Sequence, residues 1–171
     1  METKKITRLA MFLAISIVLN IIESFFPFFN GLIPGFKIGL ANIITLSVLY
    51  LYGFKDSLYI AILRVFLVGI LRTGLFSTTF FFSLTGVICS IIVMYIFKKV
   101  NKFSIIGVSI LGSIAHSSGQ LLTAIAILKN TSMAYYLPFI IILAIPSGIL
   151  VGILSKETMK YLNYKNKVEN F

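Results

Sequence analysis

From Phe76 to Phe97 the chain reads FSTTFFFSLTGVICSIIVMYIF, without one charged side chain. A helix that crosses a bilayer needs about 20 such residues. The pattern recurs along the chain and predicts six spans: approximately Ile6–Phe26, Phe36–Tyr52, Ser57–Leu71, Phe76–Phe97, Ser104–Leu128 and Met133–Leu154. The third is short and carries Arg64. Turn chemistry separates the spans, in PFFNGLIPG, YGFKD, RTG, KKVNK and KNTS. The fold expected is an all-α integral membrane protein of six transmembrane helices, forming a single membrane domain over residues 1–171.

Composition agrees. Only 12% of residues are charged and 58% are hydrophobic, whereas a soluble domain carries roughly 25% charged residues. The opening METKKITRLAMFLAISIVLN has basic residues before an apolar core, as a signal peptide does. No small-residue cleavage site follows, so the segment reads as a retained first helix.

The formal net charge is +10. It is not gathered into a basic block or an RNA-binding signature, so nucleic acid is not the expected partner. The bases lie between the apolar runs instead, and their placement sets an orientation. With the N-terminus cytoplasmic, the inside receives Lys4, Lys5, Arg8, Lys55, Lys98, Lys99, Lys102, Lys156, Lys160, Lys165 and Lys167. The outside receives Lys37, Arg72 and Lys129, while Arg64 stays within the membrane. Both termini are therefore expected inside.

Several chemistries are excluded. No G-x-x-x-x-G-K-[ST] loop is present; GVSILGS has the glycine spacing without the lysine that reaches phosphate. Asp56 is the sole aspartate, which rules out an aspartate-rich magnesium-diphosphate site and, with His116 mid-membrane, any Ser/His/Asp triad. The lone His116 and lone Cys89 leave no metal site and no intrachain disulfide. No catalytic residues and no enzyme activity are expected of this chain.

Ionisable groups inside a bilayer are costly and mark functional positions by default. Glu23, Arg64 and His116 qualify. In the expected topology they share the outer half of the bundle with Asn20, Lys37, Asn42, Arg72 and Gln120. Gln120 follows His116 by one turn on the same face. These residues suit a pocket for an anionic, partly apolar small molecule. Arg64 and Arg72 would bind oxygens in fork geometry and Lys37 would act as a point charge. The polar side chains would orient the ligand. A plainer arrangement stays open: Glu23 pairs with Arg64, His116 bonds within the bundle, and Lys37 and Arg72 snorkel to the interface. On the first helix Ala10 and Ala14 form an A-x-x-x-A pair, more than 90° around from Ser16, Asn20 and Glu23. Such a pair admits a close-packed partner helix. The small residues of GVSILGSIAHSSGQ and PSGILVG, including Gly148 and Gly152, suit packing inside the bundle.

The segments PGFKIGLANI, YGFKDSLYIAILRV and SIIGVSILGSIAHSSGQ together resemble the heptaprenyl diphosphate synthase component I, or Gx transporter, family. That family looks like the substrate-binding S components of energy-coupling factor (ECF) importers. The resemblance implies a six-helix bundle with an outward-facing pocket, and a gating role for PFFNGLIPG. It implies docking of Ala10 and Ala14 on the transmembrane coupling subunit, which carries two ATPases. ATP would be consumed by those partners, and this chain would need no cofactor. The family name also implies a second role, as a non-catalytic membrane subunit of a polyprenyl diphosphate synthase. A ligand from isoprenoid or quinone metabolism suits either.

Overall fold

The computed structural model describes residues 2–25 and 39–168, with side chains over 3–25 and 39–162. Among these residues there is no strand. Six α-helices follow in order: α1 (Glu2–Phe25), α2 (Ala41–Leu51), α3 (Phe54–Val68), α4 (Thr78–Val100), α5 (Ile105–Leu128) and α6 (Leu137–Val168). A π-helical turn, Gly69–Thr73, extends α3, and a 3₁₀ turn, Thr131–Tyr136, leads into α6. The six helices lie where the six apolar runs predict them. PFFNGLIPG and Lys37 lie outside the described residues.

Four segments are long and apolar enough to cross a membrane: Thr3–Phe25, Thr78–Val100, Ile105–Leu128 and Thr131–Leu162. The second expected span is shorter in the structure. Helix α2 has 11 residues, a rise of about 17 Å, against a hydrocarbon core of about 30 Å. Its apolarity has a different cause. Every residue from Ala41 to Leu49 is buried, packed against α1, α3, α4 and α6, so α2 forms the interior of the bundle.

Polar groups on α2 are satisfied locally. The Ser47 hydroxyl donates to the Ile43 carbonyl at 2.8 Å. Hydroxyls from other helices reach the same backbone: Ser57 donates to Thr45 O at 2.9 Å and Ser155 to Ile43 O at 3.1 Å. Such bonds tie helices together where no water competes. Apolar packing supplies the rest. Leu46, Leu49, Val65, Val87, Ile91, Met94 and Val108 form one core, while Phe12, Ile44, Val48 and Ile60 join α1 to α2 and α3.

The longer helices begin and end on recognisable caps. Ser77 accepts from Phe80 N–H at the start of α4, and Ser104 accepts from Gly107 N–H at the start of α5. Asn101 and Lys129 close the two helices with left-handed backbones. Helices α5 and α6 then pack with almost no space between backbones. A Cβ on Gly148 would sit 2.5 Å from Ile110 Cα, and one on Gly152 would sit 2.8 Å from Ile106 Cα. The role of these glycines in internal packing is as the sequence predicts.

The outer surface is apolar. On α1, Met11, Ile15, Val18, Ile22 and Phe25 are exposed at helical spacing, and Phe139, Ile142, Ile149 and Ile153 are exposed on α6. A soluble protein rarely carries so much contiguous apolar surface. Such a surface suits contact with lipid.

Candidate functional site

The α1–α2 junction builds one wall of the site. Glu23 is buried near the end of α1, and its carboxylate accepts from the backbone N–H of Gly39. Gly39 has φ +86, a left-handed conformation that favours glycine. A Cβ there would also come within 3.2 Å of the Asn42 side chain. The glycine thus turns the chain into α2 and presents its N–H to the acid.

Opposite stands Arg64 on α3, 2% exposed. Its guanidinium donates to Ser16 Oγ at 3.4 Å, to Thr45 Oγ1 at 3.5 Å and to Asn42 Oδ1 at 3.4 Å. These are long bonds to neutral oxygens, since N–H···O contacts usually centre near 2.9–3.0 Å. Among the described residues the buried Arg64 Nε–H finds no hydrogen-bond partner. Glu23 acts on Arg64 through its field, and part of its hydrogen-bonding capacity is already given to Gly39. The cation is held in place by the charge of Glu23 and by long bonds to neutral oxygens.

Between these walls lies a cavity of about 30 Å³, lined by Asn20, Glu23, Gly39, Ala41, Asn42, Arg64, Val65, Val68, Thr73, Phe80, Ser83, Val87, His116 and Gln120. That is space for roughly one water, so a larger occupant needs the walls to move apart. His116 and Gln120 come from α5. They reach the cavity because Gly86 lets α4 close on them: a Cβ at Gly86 would lie 2.8 Å from Gln120 Cγ and 3.1 Å from His116 Cε1.

The structure therefore brings together Asn20, Glu23, Asn42, Arg64, His116 and Gln120 from the residues the sequence nominates. Arg72 is not among them. It is exposed in the π-turn, with its guanidinium 5.8 Å from the ring centre of Phe25. Rise along a helix gave its depth, but the π-turn and its azimuth carry it to the outside of the bundle. Lys37 lies outside the described residues. Thr45, Thr73 and Ser83 are additions. Only Thr45 had a signal, being one turn from Asn42 on the same face. Ala10 and Ala14 are both exposed, on a face that turns away from the cavity.

Chemically the site offers one cation, one carboxylate, three amides, an imidazole and hydroxyls, walled by Phe80 and valines. Among the described residues no group of three His, Cys, Asp or Glu side chains could hold a metal. The arrangement suits binding through charge and hydrogen bonds.

Apolar helices around an enclosed arginine define a multi-pass helical membrane protein with a polar pocket inside its bundle. Residues 12–158 match the family model of heptaprenyl diphosphate synthase component I, and the chain belongs to that family. Component I is a non-catalytic subunit, in keeping with the missing ATPase and aspartate-rich motifs. No curated protein and no solved structure gives a significant match. The likeness to ECF S components finds no support in these comparisons.

Proposed function

We propose that this chain is a non-catalytic membrane subunit that holds the anionic head of a small, partly apolar molecule at Arg64. One observation carries the reading: a fully enclosed guanidinium keeps long bonds to neutral oxygens and an unbonded Nε–H beside a cavity. A carboxylate or phosphate oxygen arriving there would gain charge-assisted hydrogen bonds, about twice as strong as neutral ones. Asn42, His116 and Gln120 orient that head, while Val65, Val68 and Phe80 meet its apolar part.

Family membership favours a polyprenyl diphosphate synthase as the assembly, with a separate chain, component II, supplying catalysis. The head bound would then be a diphosphate and the apolar part its prenyl chain. A second reading rests on the exposed Ala10 and Ala14. In it the chain is an S component of an ECF importer, docked by that face on a coupling subunit with two ATPases. Both readings place the chain in the bacterial cytoplasmic membrane, with the lysine-rich end and both termini inside.

Binding of geranyl diphosphate and of inorganic diphosphate to the detergent-purified chain tests the shared core. Arg64→Gln should weaken geranyl diphosphate at least about tenfold, or roughly 1.4 kcal/mol. Unchanged affinity in that variant, with the fold intact, would remove Arg64 from the site. Affinity purification from membranes separates the two assemblies. A soluble aspartate-rich prenyltransferase in the eluate supports the synthase. An ATPase-bearing module that is lost on Ala10→Leu with Ala14→Leu supports the importer.

A further inference from the structure

A second cavity, of about 400 Å³, opens at the opposite end of the bundle. It is lined by Tyr50 at the end of α2, Lys98 at the end of α4, Phe103 and Ser104 in the following turn, Ile106 on α5 and Lys156 on α6. Volumes of roughly 300–1,000 Å³ are typical of small-molecule sites. The Arg64 cavity plays no part in it, so nothing here depends on the function proposed above.

Two cations and no carboxylate line this cavity. Lys98 is oriented by its surroundings. Its ammonium donates to the Leu49 carbonyl at 2.7 Å and stands 4.8 Å from the ring centre of Tyr50. An ammonium has three donors, so two remain for an occupant. Lys156 is exposed, and the neighbouring carboxylate, Glu157, is turned to Lys160 at 4.0 Å. The first turn of α5 faces the same space and adds the partial positive charge of a helix N-terminus. The other wall is apolar, formed by Phe103 and Ile106.

We infer that this cavity binds the phosphate-bearing headgroup of an anionic phospholipid, with Lys98 and Lys156 as its cationic contacts and Phe103 and Ile106 against the start of its acyl chains. Volume and the apolar wall favour a headgroup over free phosphate, which would leave most of the space empty. Position agrees, because the cavity is bounded by the end of α4 and the start of α5, two helices long and apolar enough to cross a membrane. Basic pockets between helix ends are recurrent sites for anionic lipid.

Native mass spectrometry of the delipidated full-length protein, offered equimolar phosphatidylglycerol and phosphatidylcholine in detergent, tests this. The unaltered chain should retain phosphatidylglycerol in preference. Each of Lys98→Gln and Lys156→Gln should lower its occupancy roughly fivefold, the usual weight of one lysine near an anionic surface. Lys160→Gln, outside the cavity, should leave it unchanged. Lys98 also holds the end of α2, so Lys156→Gln is the decisive variant if Lys98→Gln unfolds. Equal retention of the two lipids, or unaltered retention by Lys156→Gln, overturns the assignment. Displacement of the lipid by millimolar inorganic phosphate also overturns it, and gives the cavity to a free phosphate.

Discussion

Arg64 and Glu23 face one cavity with opposite charge, and each constrains what can replace the other. Removing one member of a buried pair leaves the other uncompensated, whereas removing both can be nearly neutral. Arg64→Met alone should therefore lower stability by about 3–5 kcal/mol, and Glu23→Gln added to it should recover much of that loss. Urea unfolding of the four variants in detergent measures the coupling. Strictly additive effects would mean that the two charges do not sense each other. Six cavity residues are legible in the sequence, because amides and charges are conspicuous in apolar helices. Thr73 and Ser83 are not, since a hydroxyl can bond to its own helix backbone at little cost and so carries no signal. Arg72 stands outside the cavity lining for a different reason. Charge and depth say nothing about which way a side chain leaves the helix.

At the scale of elements, the glycine face of α6 sets how closely the second half of the bundle closes. Gly148→Val would drive its side chain into Ile110 Cα, and backbone cannot yield as a flexible side chain does. Overpacking of this kind costs about 1–3 kcal/mol. The variant's melting temperature should fall by several degrees, while an exposed-face change on the same helix, Ile149→Val, should leave it nearly unaltered. Equal melting temperatures for both variants would show that the close approach carries no strain. The positions of all six helices follow from hydropathy, but the length of α2 does not. An apolar run reports only that water is absent. It does not distinguish a helix wrapped in lipid from one wrapped in protein.

Across the whole molecule, the bases define two unlike ends. Arg8, Lys55, Lys98, Lys102 and Lys156 fall at one end, and Arg72 and Lys129 at the other. By the positive-inside rule, the proposed orientation puts the lysine-rich end inside. In a Cys89→Ala background, a membrane-impermeant maleimide added to intact cells should label Asn130→Cys and spare Lys102→Cys. The reverse pattern would invert the protein and turn the Arg64 end toward the cytoplasm.

Helix α2, enclosed on nearly every side yet too short to cross lipid, also bears on how the chain is made. A segment of that length offers a translocon no independent stop signal. Its shell is drawn from α1, α3, α4 and α6 together, so the interior that holds Asn42 and Thr45 against Arg64 is enclosed only once the last of these helices is in place.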